Sequence, residues 1–339
     1  MKAWRVYEAG DIRLEELKAQ AVGEACVKVK VTCATVSATD KLVFEGKLGT
    51  DKLPLTIGRQ CVGMVTEVGE NVKGVVRGDR VIIDPYSSCK QCASCKAGKS
   101  NECERMLTYG VDDDGFMCDF AVVSATDVHK LPERVPDADA VFIDHISMAI
   151  AIMNKLNPEK GEHIVIAGAN VVGIILAQIA MYQQAVPILV DTRSDRLAIA
   201  EELGVYYTIN SVDTNVQKKI FSLTGGRMAD SGAYMATSQL PLAQSLEYVR
   251  KGSKTVVADW SGITEDLNVS LKVLLDNQLS LYGVNNGAKY IQSAINMLAN
   301  KTVSVAPLIS KEITFAEVGT YIKEQVEMPD KYIKILVKS

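Results

Sequence analysis

Valines alternate with lysines through residues 25–32 (ACVKVKVT), the two-residue period of a strand that buries one face. Residues 61–68 (CVGMVTEV), 80–84 (RVIID) and 118–123 (CDFAVV) are further β-branched runs, separated by glycine-bearing turns such as 76–79 (VRGD). The first third therefore predicts a small barrel or sandwich rather than a parallel sheet. From Gly161 the pattern changes. Short β-branched runs (HIVIAG, VPILVD, VYYTIN, SGAYMA, KTVVAD, LSLYGV) alternate with helical stretches that end at Tyr182 and Leu203 and cover 215–223 and 241–249. Six strands interleaved with helices predict a parallel, doubly wound sheet. The tail predicts a helix over 289–299, a second around 315–326 and a last strand over 332–337.

One stretch imitates a membrane span. Residues 164–181 (IVIAGANVVGIILAQIAM) are almost wholly apolar over 18 positions, the lower edge of a spanning helix. Gly168, Asn170 and Gly173 interrupt it after a β-branched start, and Asp191 closes a second apolar run. Strand, glycine turn, buried helix and strand account for this better than a helix in lipid.

Composition narrows the function classes. The 339 residues leave room for roughly two domains. With 37 Lys and Arg against 41 Asp and Glu, the net charge of -4 offers no basic surface to nucleic acid or an anionic membrane. The start, MKAWRVYEAG, carries no signal-like or arginine-rich segment, so a reducing cytoplasm is expected, where clustered cysteines more often mean metal than disulfide. The three histidines, His129, His145 and His163, lie too far apart for a site built on several histidines at short spacing. His163 opens a strand and His129 sits in a connector, and surface roles suit both.

Of the eight cysteines, Cys89, Cys92, Cys95 and Cys103 read C-x2-C-x2-C-x7-C within one loop-like segment. Four thiolates that close together can surround one tetrahedral zinc with no position left open, which makes such a site structural. An iron-sulfur cluster is the competing occupant, but no second cysteine group accompanies it. Cys26, Cys33, Cys61 and Cys118 fall in strand-like runs and read as small buried apolar residues.

After the strand HIVIA comes Gly168-Ala169-Asn170-Val171-Val172-Gly173, a G-x-N-x-x-G in place of the dinucleotide G-x-G-x-x-G. Asn170 stands where a glycine normally lets the backbone approach a pyrophosphate, and asparagine tolerates a left-handed backbone. Asp191 lies 18 residues beyond Gly173, at the end of the next strand, where a carboxylate binds ribose hydroxyls and favours NAD over NADP. Arg193 and Arg196 could soften that preference or be solvated helix-start residues. A parallel sheet without a nucleotide is the bland alternative.

A β-rich N-terminal part, a four-cysteine lobe near residue 90, a nucleotide fold and a short return together resemble the medium-chain dehydrogenase/reductase superfamily, specifically its zinc-containing alcohol and polyol dehydrogenases. The likeness runs essentially end to end. Gly78-Asp79-Arg80-Val81 before the lobe, and Gly110-Val111 with Gly115-Phe116 after it, look like family signatures. The resemblance implies an α/β chain. A GroES-like β-rich catalytic domain would cover 1–146, with a structural zinc lobe at about 85–105. A Rossmann NAD-binding domain would cover 147–286, and a return segment over 287–339 would complete the first domain. It further implies a small-molecule substrate between the domains and a homodimer or homotetramer joined near 279–284.

The resemblance breaks where chemistry belongs. Members that bind a catalytic zinc carry C-G-[ST]-D, and this chain has Ser37-Ala38-Thr39-Asp40; they carry G-H-E, and here it is Gly58-Arg59-Gln60. The usual third ligand or its acidic neighbour matches Asp144 of Ile143-Asp144-His145, and a proton-relay histidine matches Leu42. A serine hydroxyl is a poor zinc donor, glutamine is neutral, and Arg59 places a permanent positive charge where a dication would sit. In a partly buried cleft that repulsion costs several kcal/mol. A four-residue displacement along a strand moves a side chain about 13 Å, so Cys33 or Cys61 does not substitute. One structural zinc per chain and no catalytic zinc are expected.

Three readings follow. In the first, hydride passes between NAD(H) and a carbonyl, iminium or conjugated substrate without catalytic zinc. Arg59 then replaces the Lewis acid or binds an acidic group on the substrate, and Thr39, Asp144 and His145 handle protons beside Ser37. Arg59 and Asp144 could equally form a structural ion pair in the vacated site. In the second, the protein binds nucleotide without turnover. In the third, a catalytic zinc binds through atypical ligands.

Overall fold

The alternating valines and lysines open the strand Cys26–Val36, whose Val27, Val29 and Val31 are buried. A computed structural model describes residues 1–235, 240–258 and 269–338. The chain divides into two units, Met1–Asp144 with Ile291–Ala299 and Leu308–Ser339, and His145–Tyr290 with Asn300–Pro307. The division differs from the sequence expectation in three places: residues 145–146 and 287–290 join the second unit, and so does a later stretch. Residues 300–307 belong with the nucleotide fold rather than the return segment. Gln178 explains this by bonding Ser304 in both directions, its amide donating to the carbonyl oxygen at 3.0 Å and its oxygen accepting from the amide at 2.9 Å.

In the first unit Cys26–Val36 is central. A seven-stranded sheet runs Val128–Lys130, Arg80–Ile83, Cys61–Val68, Cys26–Val36, Ile335–Lys338 and Lys311–Thr314, with Phe120–Ser124 also paired to Cys26–Val36. The return strand is antiparallel to it, Ile335 opposite Val36 and Val337 opposite Ala34. That register sets the last residues of the chain beside the segment around Gln60. A second, three-stranded sheet contains Asp11–Glu16, Lys2–Glu8 and Leu55–Thr56, an N-terminal hairpin the periodicity did not reveal. Valines and isoleucines from both sheets share one core with Phe116.

The second unit is a six-stranded sheet, all parallel: Tyr207–Asn210, Val186–Asp191, His163–Ala167, Ala229–Met235, Val249–Ala258 and Ser280–Val284. The fold is therefore α/β, with a GroES-like β-rich unit and a Rossmann-like doubly wound sheet. Asp259, the end of the expected strand KTVVAD, lies outside the described residues. The apolar run 164–181 splits into the strand His163–Ala167 and the helix Val171–Tyr182, which is buried from Val171 to Ala180. Being buried on all sides explains its membrane-like composition. Among the described residues no helix is long and apolar enough to cross a membrane.

Candidate active site and nucleotide cradle

Three segments of the first unit converge around Arg59. The helix Ala38–Phe44 begins with a capping box in which Ser37 and Asp40 exchange bonds. The Ser37 hydroxyl donates to Asp40 Oδ2 at 2.6 Å and accepts from the Asp40 amide at 3.3 Å. Ser37, expected in the reactive cluster, is thus placed as a helix cap, worth about 1 kcal/mol. Asp40 is fully buried. Its other oxygen accepts from the Gly58 amide at 2.7 Å. Burial raises its pKa, while Ser37, Gly58 and Lys334 pull it back. Gly58 has a left-handed φ of 99°, and a Cβ there would meet the Met117 nitrogen at 2.5 Å. Only glycine makes this turn into Arg59.

Arg59 is 7% exposed. Its Nη1 donates to Thr39 Oγ1 at 3.1 Å, and its guanidinium carbon lies 4.9 Å from the centre of the Tyr86 ring. Nε and Nη2 find no hydrogen-bond partner among the described residues. Burial works to lower the pKa of Arg59, but Tyr86, Asp144 and Asp40 outweigh it, so the net shift is upward and the group stays a cation. Tyr86 is itself raised to about 12, chiefly by burial. The expected ion pair is therefore realised as charge acting through space. At hydrogen-bond range Arg59 engages Thr39, while Asp144 accepts the Gln60 amide at 2.9 Å.

Gln60 connects that carboxylate to a buried cation. Its oxygen accepts from Thr35 Oγ1 at 2.9 Å and from Lys334 Nζ at 3.2 Å, and Lys334 is only 4% exposed. Asp144 and His145 occupy the first turn of the helix Ile143–Leu156. In place of a thiolate, an imidazole and a carboxylate, the positions matched to metal ligands present a capping hydroxyl, a guanidinium and an amide.

The four cysteines of the lobe do converge. Among the described residues they are the one group of three or more His, Cys, Asp or Glu whose donor atoms lie within 4.8 Å of one another. Cys89 and Cys103 sulfurs are 3.5 Å apart, and the pairs Cys89 with Cys95 and Cys92 with Cys103 are each 4.0 Å apart. Tetrahedral zinc with bonds of about 2.3 Å sets sulfurs roughly 3.8 Å apart, so the spacing fits that ion. Amides of Cys89, Cys92, Cys95 and Arg105 donate to these sulfurs. The amides of Gln91 and Cys92 bring the Cys89 thiol down to about 6. Such donors favour thiolate, the ligand form, at Cys89 and Cys92, whereas burial first, then Cys92 and Cys103, raise Cys95 to about 11.

In the second unit the glycine turn differs from expectation at its centre. Asn170 is not left-handed; with φ -79° and ψ -179° it is the extended N-cap of Val171–Tyr182, and its side chain accepts from the Gly173 amide at 2.9 Å. Capping, rather than backbone freedom, accounts for asparagine here. Gly168 carries the positive φ, 117°, and a Cβ on Gly173 would lie 2.0 Å from the Gly168 oxygen. Asp191 is buried and accepts from the amides of Ala169 at 2.6 Å and Arg193 at 2.9 Å. Its two oxygens offer about four acceptor positions, so it has capacity left for ribose hydroxyls. Arg193 turns to Asp195, and Arg196 is half-buried in the helix Ser194–Glu202.

Residues 23–133 match the family model for the alcohol dehydrogenase GroES-like domain, and 171–300 the model for zinc-binding dehydrogenases. The chain belongs to the medium-chain dehydrogenase/reductase superfamily. Within it, this dehydrogenase is 29% identical to an uncharacterized zinc-type alcohol dehydrogenase-like protein of Haemophilus influenzae over 91% of this chain and 90% of that protein. It is 27% identical to the L-threonine 3-dehydrogenase of Pyrococcus horikoshii, over 80% and 78% respectively. A crystal structure of RspB from Escherichia coli, described as an alcohol dehydrogenase complexed with NADH, superposes with TM-score 0.90 at 25% identity, covering 100% of this chain and 99% of that one. It is an NAD(P)-dependent oxidoreductase of the zinc-type alcohol and polyol dehydrogenase family.

Tyr86, Asp40, Gln60 and Lys334 join the cluster without having been singled out as site residues in the sequence. Lys334 had a readable signal, a lysine embedded in the apolar run Ile333 to Val337. Tyr86 had none, because only folding lays its ring against Arg59.

Proposed function

We propose that this dehydrogenase moves hydride between NAD(H) and a polarised substrate bond, a carbonyl foremost, without a catalytic zinc. Buried Arg59, standing where the family's zinc ligand stands, carries the reading. A dication beside an obligate guanidinium is disfavoured, and the capping hydroxyl and amide around it are weak donors to zinc. The same guanidinium suits the negative charge that builds on a carbonyl oxygen as its carbon accepts hydride.

When bound, the dinucleotide supplies or receives the hydride. Gly168, Asn170, Val171, Val172 and Gly173 would hold its phosphates at the helix N-terminus, with Asp191 at the ribose and Arg196 nearby. A buried carboxylate at that turn repels a 2′-phosphate and favours NAD. Thr39 accepts from Arg59, so its own hydroxyl proton points onward and can be given to the substrate oxygen as the C=O electron pair settles there. Asp144 and His145 are the further proton-handling candidates. The lobe cysteines Cys89, Cys92, Cys95 and Cys103 would bind one structural zinc per chain. The outer strand Ser280–Val284, with Tyr282 exposed, supports a homodimer or homotetramer continued through that edge.

A panel of carbonyl, iminium and enone compounds assayed with NADH and NADPH tests the reading. Arg59→Gln should lower kcat/KM by about 100-fold or more with NADH binding retained, the scale of losing one oxyanion donor. Full activity in that variant contradicts it.

A further inference from the structure

We propose that Arg59 is a carboxylate receptor, so that the substrate is a small organic acid bearing its carboxylate next to the reacting carbon. The inference rests on the hydride-transfer reading and names its substrate class.

The geometry points to a specific edge of the side chain. A guanidinium presents two pairs of donors, and the pair formed by Nε and one terminal nitrogen matches the two oxygens of a carboxylate. Here Nη1 is held by Thr39 Oγ1 at 3.1 Å and the face is covered by the Tyr86 ring, which together fix the plane and the rotation of the group. The remaining pair, Nε and Nη2, is buried and lacks a partner among the described residues. The protein thus orients a bidentate fork whose two donors are unmatched among the described residues.

Donor pairing and charge separate an acid from a neutral carbonyl. A buried donor left unpaired carries an uncompensated desolvation cost, larger when it belongs to a charged group. A lone ketone oxygen satisfies the fork only in part and brings no charge. A carboxylate satisfies both donors with two parallel bonds and neutralises the cation locally. Asp144 accepts the Gln60 amide and acts on Arg59 as a charge through space. In a 2-oxo acid the carboxylate on the fork fixes the adjoining carbonyl on the Nε and Nη2 side of the guanidinium. Reduction then places hydride on the carbonyl carbon and a proton on its oxygen, giving the 2-hydroxy acid while NADH becomes NAD.

The test uses the NADH-loaded protein in low-chloride buffer and two ligands of one shape, butyrate and butyramide, titrated calorimetrically. Butyrate should bind at least about 10-fold tighter than butyramide, and Arg59→Gln should bring that ratio to about one. Arg59→Lys, which keeps charge but loses the fork, should fall between and guards against a variant that does not fold. Equal binding of the two ligands, or a butyrate preference that survives in Arg59→Gln, overturns the proposal. NADH oxidation with 2-oxobutyrate and with butanone separates the two ideas. Arg59-dependent butyrate binding with neither compound reduced supports the receptor and removes the reductase reading. Turnover of butanone with no butyrate binding removes the receptor and leaves the reductase reading standing.

Discussion

Arg59, Tyr86 and Lys334 show how a buried polar cluster is held together at the scale of single residues. Burial raises the Tyr86 hydroxyl from its ordinary 10 to about 12, against the opposing pull of Arg59. A raised acid holds its proton more tightly in the folded chain than in the unfolded one. Its contribution is therefore complete below pH 10 and lost as pH rises from 10 to about 12. Two units correspond to about 2–3 kcal/mol. Tyr86→Phe should flatten the alkaline stability profile by about that amount, read from urea unfolding at pH 9 and pH 11.5. An unchanged pH slope contradicts the assignment. Lys334→Met, which leaves the Gln60 oxygen with one donor fewer, should cost about 1–3 kcal/mol in the same assay. Arg59 and Asp144 were legible from the motif positions they occupy. Their actual partners were not, because Thr39, Gln60 and Lys334 meet them only through strand register and the return of the last strand.

Elements with a clean period were easy to read. The lysine–valine strand, the glycine turn and the six parallel strands follow directly from spacing. The helix Ile143–Leu156 was missed although Ile143, Ile146, Ile150, Met153 and Leu156 recur at helical spacing and are all buried. At the glycine turn, the sequence correctly marked tight packing, and it mistook a cap for a backbone device. Gly173→Ala drives a Cβ to 2.0 Å from the Gly168 oxygen. It should destabilise the fold by about 1–3 kcal/mol and weaken NADH binding, measured by thermal unfolding and fluorescence titration. Asn170→Ala removes only the cap and should cost about 1 kcal/mol.

At the scale of the whole molecule, the two-unit organisation was readable from the change of period near Gly161, while the assignment of residues 300–307 depended on the Gln178 and Ser304 exchange. The outer strand Ser280–Val284 predicts self-association. Sedimentation should give two or four chains per particle, and Tyr282→Lys should shift it toward one, since an edge lysine opposes strand addition. A monomeric parent protein contradicts that expectation.

In the proposed reading the chain holds one zinc, at its four clustered cysteines, and the Arg59 cluster stands in place of a second. Counting zinc by mass spectrometry in purified protein that oxidises NADH tests it most directly. One zinc per chain, with turnover unaffected by a chelator, is the predicted result. Two zinc ions per chain, or activity that vanishes with the chelator and returns with zinc, would contradict it.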